Sequence, residues 1–469
     1  MKTLQIFHTN SSPTPGTLAH FSRPLGTLAH SRHSRHSRHF RHFRHLLFLL
    51  LLPTLAHSQT TLTLKQCYES AYTATPLSAE KQTYSGIWQL KDKNLVKGWL
   101  PTLDASGTFV YNSEVVDMSG MLGALPVPGI ADAIQPLPHE QYKLTLDINQ
   151  PIYDGGAIRG ARAAEKAGML VNEKQTEVDL YQLRGQINTY FFNIMLLDKQ
   201  KILLEDFHKL ISKRIESVNS ALANGVLLKS DLDVLLAERI KLEQQITENH
   251  IRKTSLLKIL SGLTAIAMDD STRLIIPEAA NELTGELARP ELQLLDLRKE
   301  QLDASRQMIS SKRMPKAFAF ATLGYGNPPG NNFFRDEFDT YYTVGAGLKW
   351  NIFDWSKARN EKQVVTLQQS LIDSRKTDLT DNLKRLLDSK SAEVATLESM
   401  LQTDAELIAI RKRISERAAS QYENGTLTAT EYMNELNAER QAILNAEIHK
   451  INLAMARVEY LNISGKEID

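Results

Sequence analysis

Catalysis needs convergent nucleophiles, acids, bases or metal ligands, and this chain supplies few. Its single cysteine, Cys67, excludes an intramolecular disulfide and any multi-cysteine metal site, and reads as a buried free thiol on the first helix. Beyond residue 58 only four histidines remain, His139, His208, His250 and His449, with no metal-ligand spacing among them. No glycine-rich loop follows a strand to cradle phosphate, since Gly120-Met121-Leu122-Gly123 lies among apolar and turn residues. No catalytic residue, metal set or cofactor site is therefore read, and enzymatic chemistry is not expected. Two acids stand out by position instead. Asp231 and Glu431 each follow an Asn-Gly pair by six residues, Asn224-Gly225 and Asn424-Gly425. An acid at a helix start is stabilised by the local dipole whatever else it does.

The elements that carry those acids are written twice. Ile152-Tyr153-Asp154 recurs as Ile352-Phe353-Asp354, an offset of 200 (354 − 154), and Arg159 recurs as Arg359. The two Asn-Gly pairs keep that offset. Ala237-Glu238-Arg239 matches Ala438-Glu439-Arg440 at 201, and Ser261-Gly262 matches Ser464-Gly465 at 203. A unit this long lies outside solenoid periods, so two copies read as pseudo-symmetric halves of one structure.

Between Gly155 and Leu222 there is no proline. Leu183, Ile187, Tyr190, Ile194, Leu197, Leu204, Ile211, Ile215, Val218 and Leu222 recur at an alternating four-three spacing that only Lys201 and His208 interrupt. The second copy keeps Leu383, Leu387, Val394, Leu397, Leu401, Ile408, Ala418 and Tyr422 in register. Such a seam is a coiled-coil pattern, and residues 155–222 predict a helix roughly 100 Å long. Asn224-Gly225 stops it, because glycine takes the left-handed conformation that ends helices. A returning stripe follows at Leu228, Leu232, Leu235, Leu242, Ile246, Leu256 and Leu260. Each half is thus an antiparallel hairpin with a tight tip.

Elsewhere the period changes to two. Leu103, Ala105, Gly107, Phe109 and Tyr111 alternate with polar residues, as do Tyr142, Leu144, Leu146 and Ile148. Ala317–Tyr325 is a weaker strand, and Tyr342, Val344, Ala346, Leu348 and Trp350 alternate again. Four strands of about nine residues could cross a bilayer obliquely. Tyr111, Tyr142, Tyr325, Tyr341, Tyr342 and Trp350 fall near strand ends, where an interfacial girdle would place aromatics. A soluble antiparallel sheet accounts for the alternation equally well. A membrane version would need a closed barrel, and four strands cannot close one when the smallest have about eight. Several chains would have to share one wall.

The first 58 residues read as a leader. Arg- and His-rich triplets from Ser31 to His45 precede the apolar run Leu46–Leu52 and Ala56-His57-Ser58, so export with cleavage after Ser58 is expected. A metal-binding histidine tract is the competing reading of those triplets. Removal takes seven basic residues and no acid, leaving 48 Lys+Arg (55 − 7) against 54 Asp+Glu, a net charge of −6. Nucleic acid is not an expected partner.

With these residues in place, the chain resembles the TolC-like outer-membrane efflux protein (OEP) family over about residues 62–465. The carriers are the junctions Gln150-Pro151-Ile152-Tyr153-Asp154-Gly155-Gly156 and Trp350-Asn351-Ile352-Phe353-Asp354, with Asn224-Gly225 before Asp231 and Tyr422-Glu423-Asn424-Gly425 before Glu431. The ordered, doubled set carries the likeness rather than any one tetrapeptide. The resemblance implies a mainly helical fold with a transmembrane β part. A homotrimer would give four strands per chain to a 12-stranded barrel in the outer membrane and its helical hairpins to a periplasmic tunnel.

It further implies a passive exit duct of a tripartite efflux pump for small molecules, needing no cofactor. Its partners would be outer-membrane lipid, a periplasmic adaptor (membrane fusion protein) and an inner-membrane transporter. The exit duct of a type I secretion system and a periplasmic coiled-coil adaptor stand beside that reading. By the same resemblance, Asp231 and Tyr422 match links that close the tunnel mouth, and Glu431 and Asn434 match ring positions. Asn434 departs from the acid often found there, and Leu427 stands where a basic link residue can occur. Asn224, Gly225, Asn424 and Gly425 would meet the adaptor, while Pro151, Asp154 and Asp354 mark the strand-to-helix junctions.

The expected division is a leader over 1–58, a first repeat over 59–262, a linker over 263–288 and a second repeat over 289–465. The first repeat holds strands about 103–111 and 142–150 and a hairpin over 155–262. The second holds strands about 317–325 and 341–350 and a hairpin over 355–463. Residues 112–140 and 326–340 would then be extracellular loops.

Overall fold

Two long stripes, each followed in the sequence by an Asn-Gly pair, build two hairpins of equal size. The computed structural model describes residues 61–117, 126, 136–223, 228–277, 285–332 and 335–468. The expected leader, the first tip Asn224-Gly225 and most of the loop at 112–140 lie outside the described residues. In chain order the elements are β1 Thr61–Leu62, α1 Leu64–Ala74, α2 Ser78–Val96, β2 Thr102–Tyr111, β3 Glu140–Tyr153, α3 Ala157–Ala223 and α4 Lys229–Thr264. The second half follows with β4 Arg273–Leu274, α5 Pro290–Ser311, β5 Lys316–Asn327, β6 Asp339–Lys349, α6 Lys357–Glu423 and α7 Ala429–Ser464.

Helices α3 and α6 have 67 residues each, and α4 and α7 have 36 each. All four pairs of helix ends are offset by 200 (357 − 157, 423 − 223, 429 − 229, 464 − 264). The offsets of 201 and 203 in the sequence therefore do not mark equivalent helix positions: Arg239 corresponds to Glu439, and Arg440 to Ile240.

Both long helices start two residues later than the proline-free stretch suggests, because the backbone is left-handed just before them. Gly155 and Gly156 have φ of 70° and 84°, and Trp355 and Ser356 have φ of 53° and 62°. Asp154 closes the first start by accepting from the N–H groups of Gly156 (2.8 Å) and Ile158 (2.6 Å). Asp354 accepts from the Ala358 N–H at 3.0 Å. One residue type thus caps both long helices. Two hundred residues apart, Gln150 donates to the Trp99 carbonyl (2.8 Å) and the Trp350 indole donates to the Arg313 carbonyl (3.1 Å), tying each strand end to the turn between the preceding helix and the sheet.

The sheet runs β2-β3-β5-β6, all antiparallel. Its centre joins the two repeats, β3 against β5, with an irregularity between Pro151 and Tyr153 where proline has no N–H to donate. A second, two-stranded parallel sheet pairs β1 with β4 inside the span read as linker. The core has two main clusters. One gathers Leu64, Cys67, Phe191, Phe192, Leu260, Ile451 and Leu461 around α1 and the mid-length of the hairpins. The other gathers Ile211, Ile215, Leu235, Leu242, Tyr422, Tyr432 and Leu436 toward the tips.

Candidate functional site

The second tip is built from backbone hydrogen bonds. Gly425 stands at φ 71°, its N–H donates to the Tyr422 carbonyl (3.1 Å), and the Thr426 N–H reaches back to the Gln421 carbonyl (2.9 Å). These are the two bonds of a Schellman stop. The Asn424 side chain adds a bond to the Ser420 carbonyl at 2.8 Å. Helix α7 then opens on a complete capping box: the Glu431 N–H donates to the Thr428 hydroxyl (3.3 Å), and the Glu431 carboxylate accepts from the Thr428 N–H (3.0 Å) and hydroxyl (2.8 Å). Those donors, the backbone N–H first, hold the Glu431 carboxyl below its ordinary range. Glu431 and Asn434, one turn apart, are both exposed on α7.

The first returning helix is capped by half as much. The Asp231 carboxylate accepts from the Leu228 N–H at 3.2 Å, but Leu228 has no side-chain oxygen with which to reciprocate.

Tyr422 is buried, 2% exposed, and stacks on Tyr432 with ring centroids 5.3 Å apart and planes 5° from parallel. Its hydroxyl has no hydrogen-bond partner. Burial first, and then the nearby negative charge of Asp231, push the phenol above its ordinary range. The structure therefore brings Tyr422 and Asp231 near one another without a bond between them. Leu427 packs half-buried against the same cluster.

A cation that the sequence does not single out completes this tip. Arg214 on α3 lies over the Tyr432 ring (5.2 Å to the centroid), donates to the Tyr432 hydroxyl (3.3 Å) and pairs with Glu423 on α6. One guanidinium thus holds both helices of the second hairpin against the first.

At the other end, the register puts Leu103, Phe109, Leu144, Leu146, Leu323, Val344 and Leu348 on one side of the sheet. Of these, all but Leu146 are exposed. The opposite side carries Asp147, which accepts from Thr322 (2.6 Å) and Thr145 (2.8 Å), and Ser106 bonded to Thr145 at 2.8 Å. Phe318 and Phe320 lie across Gly347 and Gly345 on that side, where an added Cβ would stand 2.5 Å from either ring. Tyr341, grouped with the girdle aromatics by its place in the sequence, covers Gly324 on this polar side instead. The strands of 10, 14, 12 and 11 residues are long enough to cross a hydrocarbon layer at a tilt.

Cys67 is fully buried, and burial pushes its thiol up to about 12. Among the described residues no group of three His, Cys, Asp or Glu side chains could hold a metal ion, and no helix is long and apolar enough to cross a membrane.

Paired helical rods attached to a one-side-apolar sheet define a fold class, and solved structures share it. The channel CusC aligns with a TM-score of 0.65 at 11% identity, over 86% of this chain and 92% of that one. The Vibrio cholerae outer membrane protein VceC aligns at 0.61 with 14% identity, over 87% and 97%. The Campylobacter jejuni outer membrane channel CmeC aligns at 0.60 with 14% identity, over 87% and 86%. No family model matches the chain, and no curated protein matches it. The chain has the fold of the TolC-like outer-membrane efflux channels.

Proposed function

We propose that three copies of this chain form a passive exit duct through an outer membrane, extending as a helical tunnel into the periplasm. The observation that carries this reading is the sheet: four antiparallel strands with an exposed apolar side, a polar side, and too few strands to seal a barrel. Three copies supply twelve. The apolar side then meets lipid and the polar side lines the passage. Planar-bilayer conductance by the detergent-extracted protein tests this. Discrete channels from a trimer are expected, and a water-soluble monomer without conductance refutes it.

The tips form the gate on this reading. Three copies of Glu431 around the axis make a negative mouth that favours cations, and the neutral Asn434 weakens the field one turn on. Tyr422 and Asp231 belong to the packing that keeps the mouth narrow. Asn424 and Gly425 present bare backbone to a periplasmic adaptor, and Asn224 and Gly225 are the matching positions of the first repeat. That adaptor couples the duct to an inner-membrane transporter, which supplies the driving force for small-molecule efflux.

A further inference from the structure

The polar side of the sheet leaves two like charges face to face. Lys316 opens β5 and Lys349 closes β6, and the register sets them directly across from each other at the end of the sheet nearest the helices. Alternation puts both on the side that carries Phe318 and Phe320. Both are exposed, and among the described residues neither ammonium group has a hydrogen bond or an ion pair. Like charges directly opposite destabilise a strand pair, because their Cβ atoms stand only about 4.5–5.5 Å apart.

No acid of this end is free to separate them. Asp354 accepts from the Ala358 N–H and stands 3.9 Å from Arg313, and Glu361 pairs with Lys312 at 3.1 Å. Asp104 and Asp147 also face each other on the polar side, but Asp147 is held by the hydroxyls of Thr145 and Thr322. Thr322 is six residues up β5 from Lys316, roughly 20 Å at about 3.3 Å per residue, so salt screens those acids from the lysines.

Beside the lysines lies an aromatic strip. Phe318 is opposite Gly347 and Phe320 is opposite Gly345, with ring centroids 6.3 Å apart. Glycine puts no side chain over either ring, and Phe320 is 37% exposed. We infer that Lys316, Lys349, Phe318 and Phe320 form a binding site on the passage wall for small aromatic anions, carboxylates or sulfonates. The anionic group sits between the two ammonium groups, where it accepts charge-assisted hydrogen bonds and removes their repulsion. The ring of the same molecule stacks along Phe318 toward Phe320. The inference rests on the exit-duct reading and adds to it a class of molecule that the wall holds in transit. An exposed site of this kind binds and releases readily, as conduction requires.

Single-channel current of the detergent-extracted protein in a planar bilayer, with sodium naphthalene sulfonate added, tests this. The aromatic sulfonate should reduce the current in a saturable way, and sodium methanesulfonate, which lacks the ring, should need about tenfold more for the same effect. Lys316→Gln with Lys349→Gln should raise the half-blocking concentration about tenfold, and Phe318→Leu about threefold. Lys349→Glu guards against misfolding, since it turns the like pair into an opposite one: it should melt no lower than the unsubstituted chain and lose the block. Channels that the two sulfonates block equally, or that the lysine variants leave equally blocked, overturn the site and leave the duct standing. A lower melting point in Lys349→Glu also counts against it, because the lysines would then be structural. Absence of any conductance from the unsubstituted chain sinks both readings.

Discussion

Replacing Arg214 with methionine is the sharpest perturbation of the tip, since it keeps an apolar stem of similar reach and removes the guanidinium alone. Three interactions go with it. The cation over the Tyr432 ring at 5.2 Å is worth about 0.5–2 kcal/mol. The bond to the Tyr432 hydroxyl, at 3.3 Å toward the long end of its range, is worth about 1 kcal/mol. The pair with Glu423, whose carboxylate is 60% exposed, contributes about 0–1 kcal/mol. Together they come to about 1.5–4 kcal/mol favouring hairpins held together at the tip. At about 1.4 kcal/mol per factor of ten, Arg214→Met should raise the ratio of open to closed channel about 10- to 700-fold. The assay is single-channel recording of open fraction, with thermal melting as a check that the fold persists. Glu423→Gln should shift the ratio by less than about fivefold, because it leaves the ring contact intact. An open fraction unchanged in Arg214→Met, or moved equally by Glu423→Gln, would refute the assignment.

Four further outcomes follow from other parts of the chain. Ser356→Gly should raise stability by about 1 kcal/mol, because glycine occupies φ 62° without the Cβ strain that serine carries there; melting of the extracted protein reads it. Lys201 first, and then Lys253, hold the Asp270 carboxyl at about 2, below its ordinary 3.8, so the stability it lends is complete above about pH 4 and lost as the pH falls through 2. With that side chain 40% exposed, screening reduces the contribution to about 1 kcal/mol, and Asp270→Asn should melt lower at pH 7 and lose less on acidification. Leu228→Thr should supply the missing half of the α4 cap and stabilise its first turn by about 1 kcal/mol, seen as slower amide hydrogen exchange at Asp231. Gly425→Trp meets open space around its Cβ but strains the backbone at φ 71°, so trimer yield should hold while transporter-dependent efflux in cells falls; unimpaired efflux counts against adaptor docking at this tip.

The hairpins were legible because their signals are local and repeated: long proline-free stripes, glycine stops, and an offset shared by the junctions and the tips. The strands were legible for the same reason, since alternation places Leu144 and Leu146 on one side wherever the sheet goes. Arg214 was not, because it meets Glu423 and Tyr432 across separations of 209 and 218 residues, and neither repeat nor spacing links them. The left-handed starts at Trp355 and Ser356 were hidden because neither residue type favours that conformation; only the glycines at the same place in the first copy hint at it. The Ala-Glu-Arg triplets misled in the other direction. Residue identity suggested an offset of 201, yet helices of equal length hold the geometry at 200, and one residue's slip turns a side chain by about 100°.

That slip explains why two near-copies need not be interchangeable. Had the first triplet lain one residue later, at an offset of 200 from the second, its arginine would stand at the place equivalent to Arg440. Instead one place holds Arg440 between Phe207 and Glu238, and the other holds an exposed isoleucine. The contact between the hairpins is thereby charged, while the matching place on α4 is aliphatic. Lone chains then bear exposed apolar side chains along the rod as well as on the sheet. On the duct reading both surfaces are covered in one event: strands meet lipid and neighbouring strands while rods meet neighbouring rods. Folding of the barrel and closure of the tunnel are then coupled, and a lesion at Ile240 should lower recovery of membrane-inserted sheet even though it lies far along the sequence from every strand.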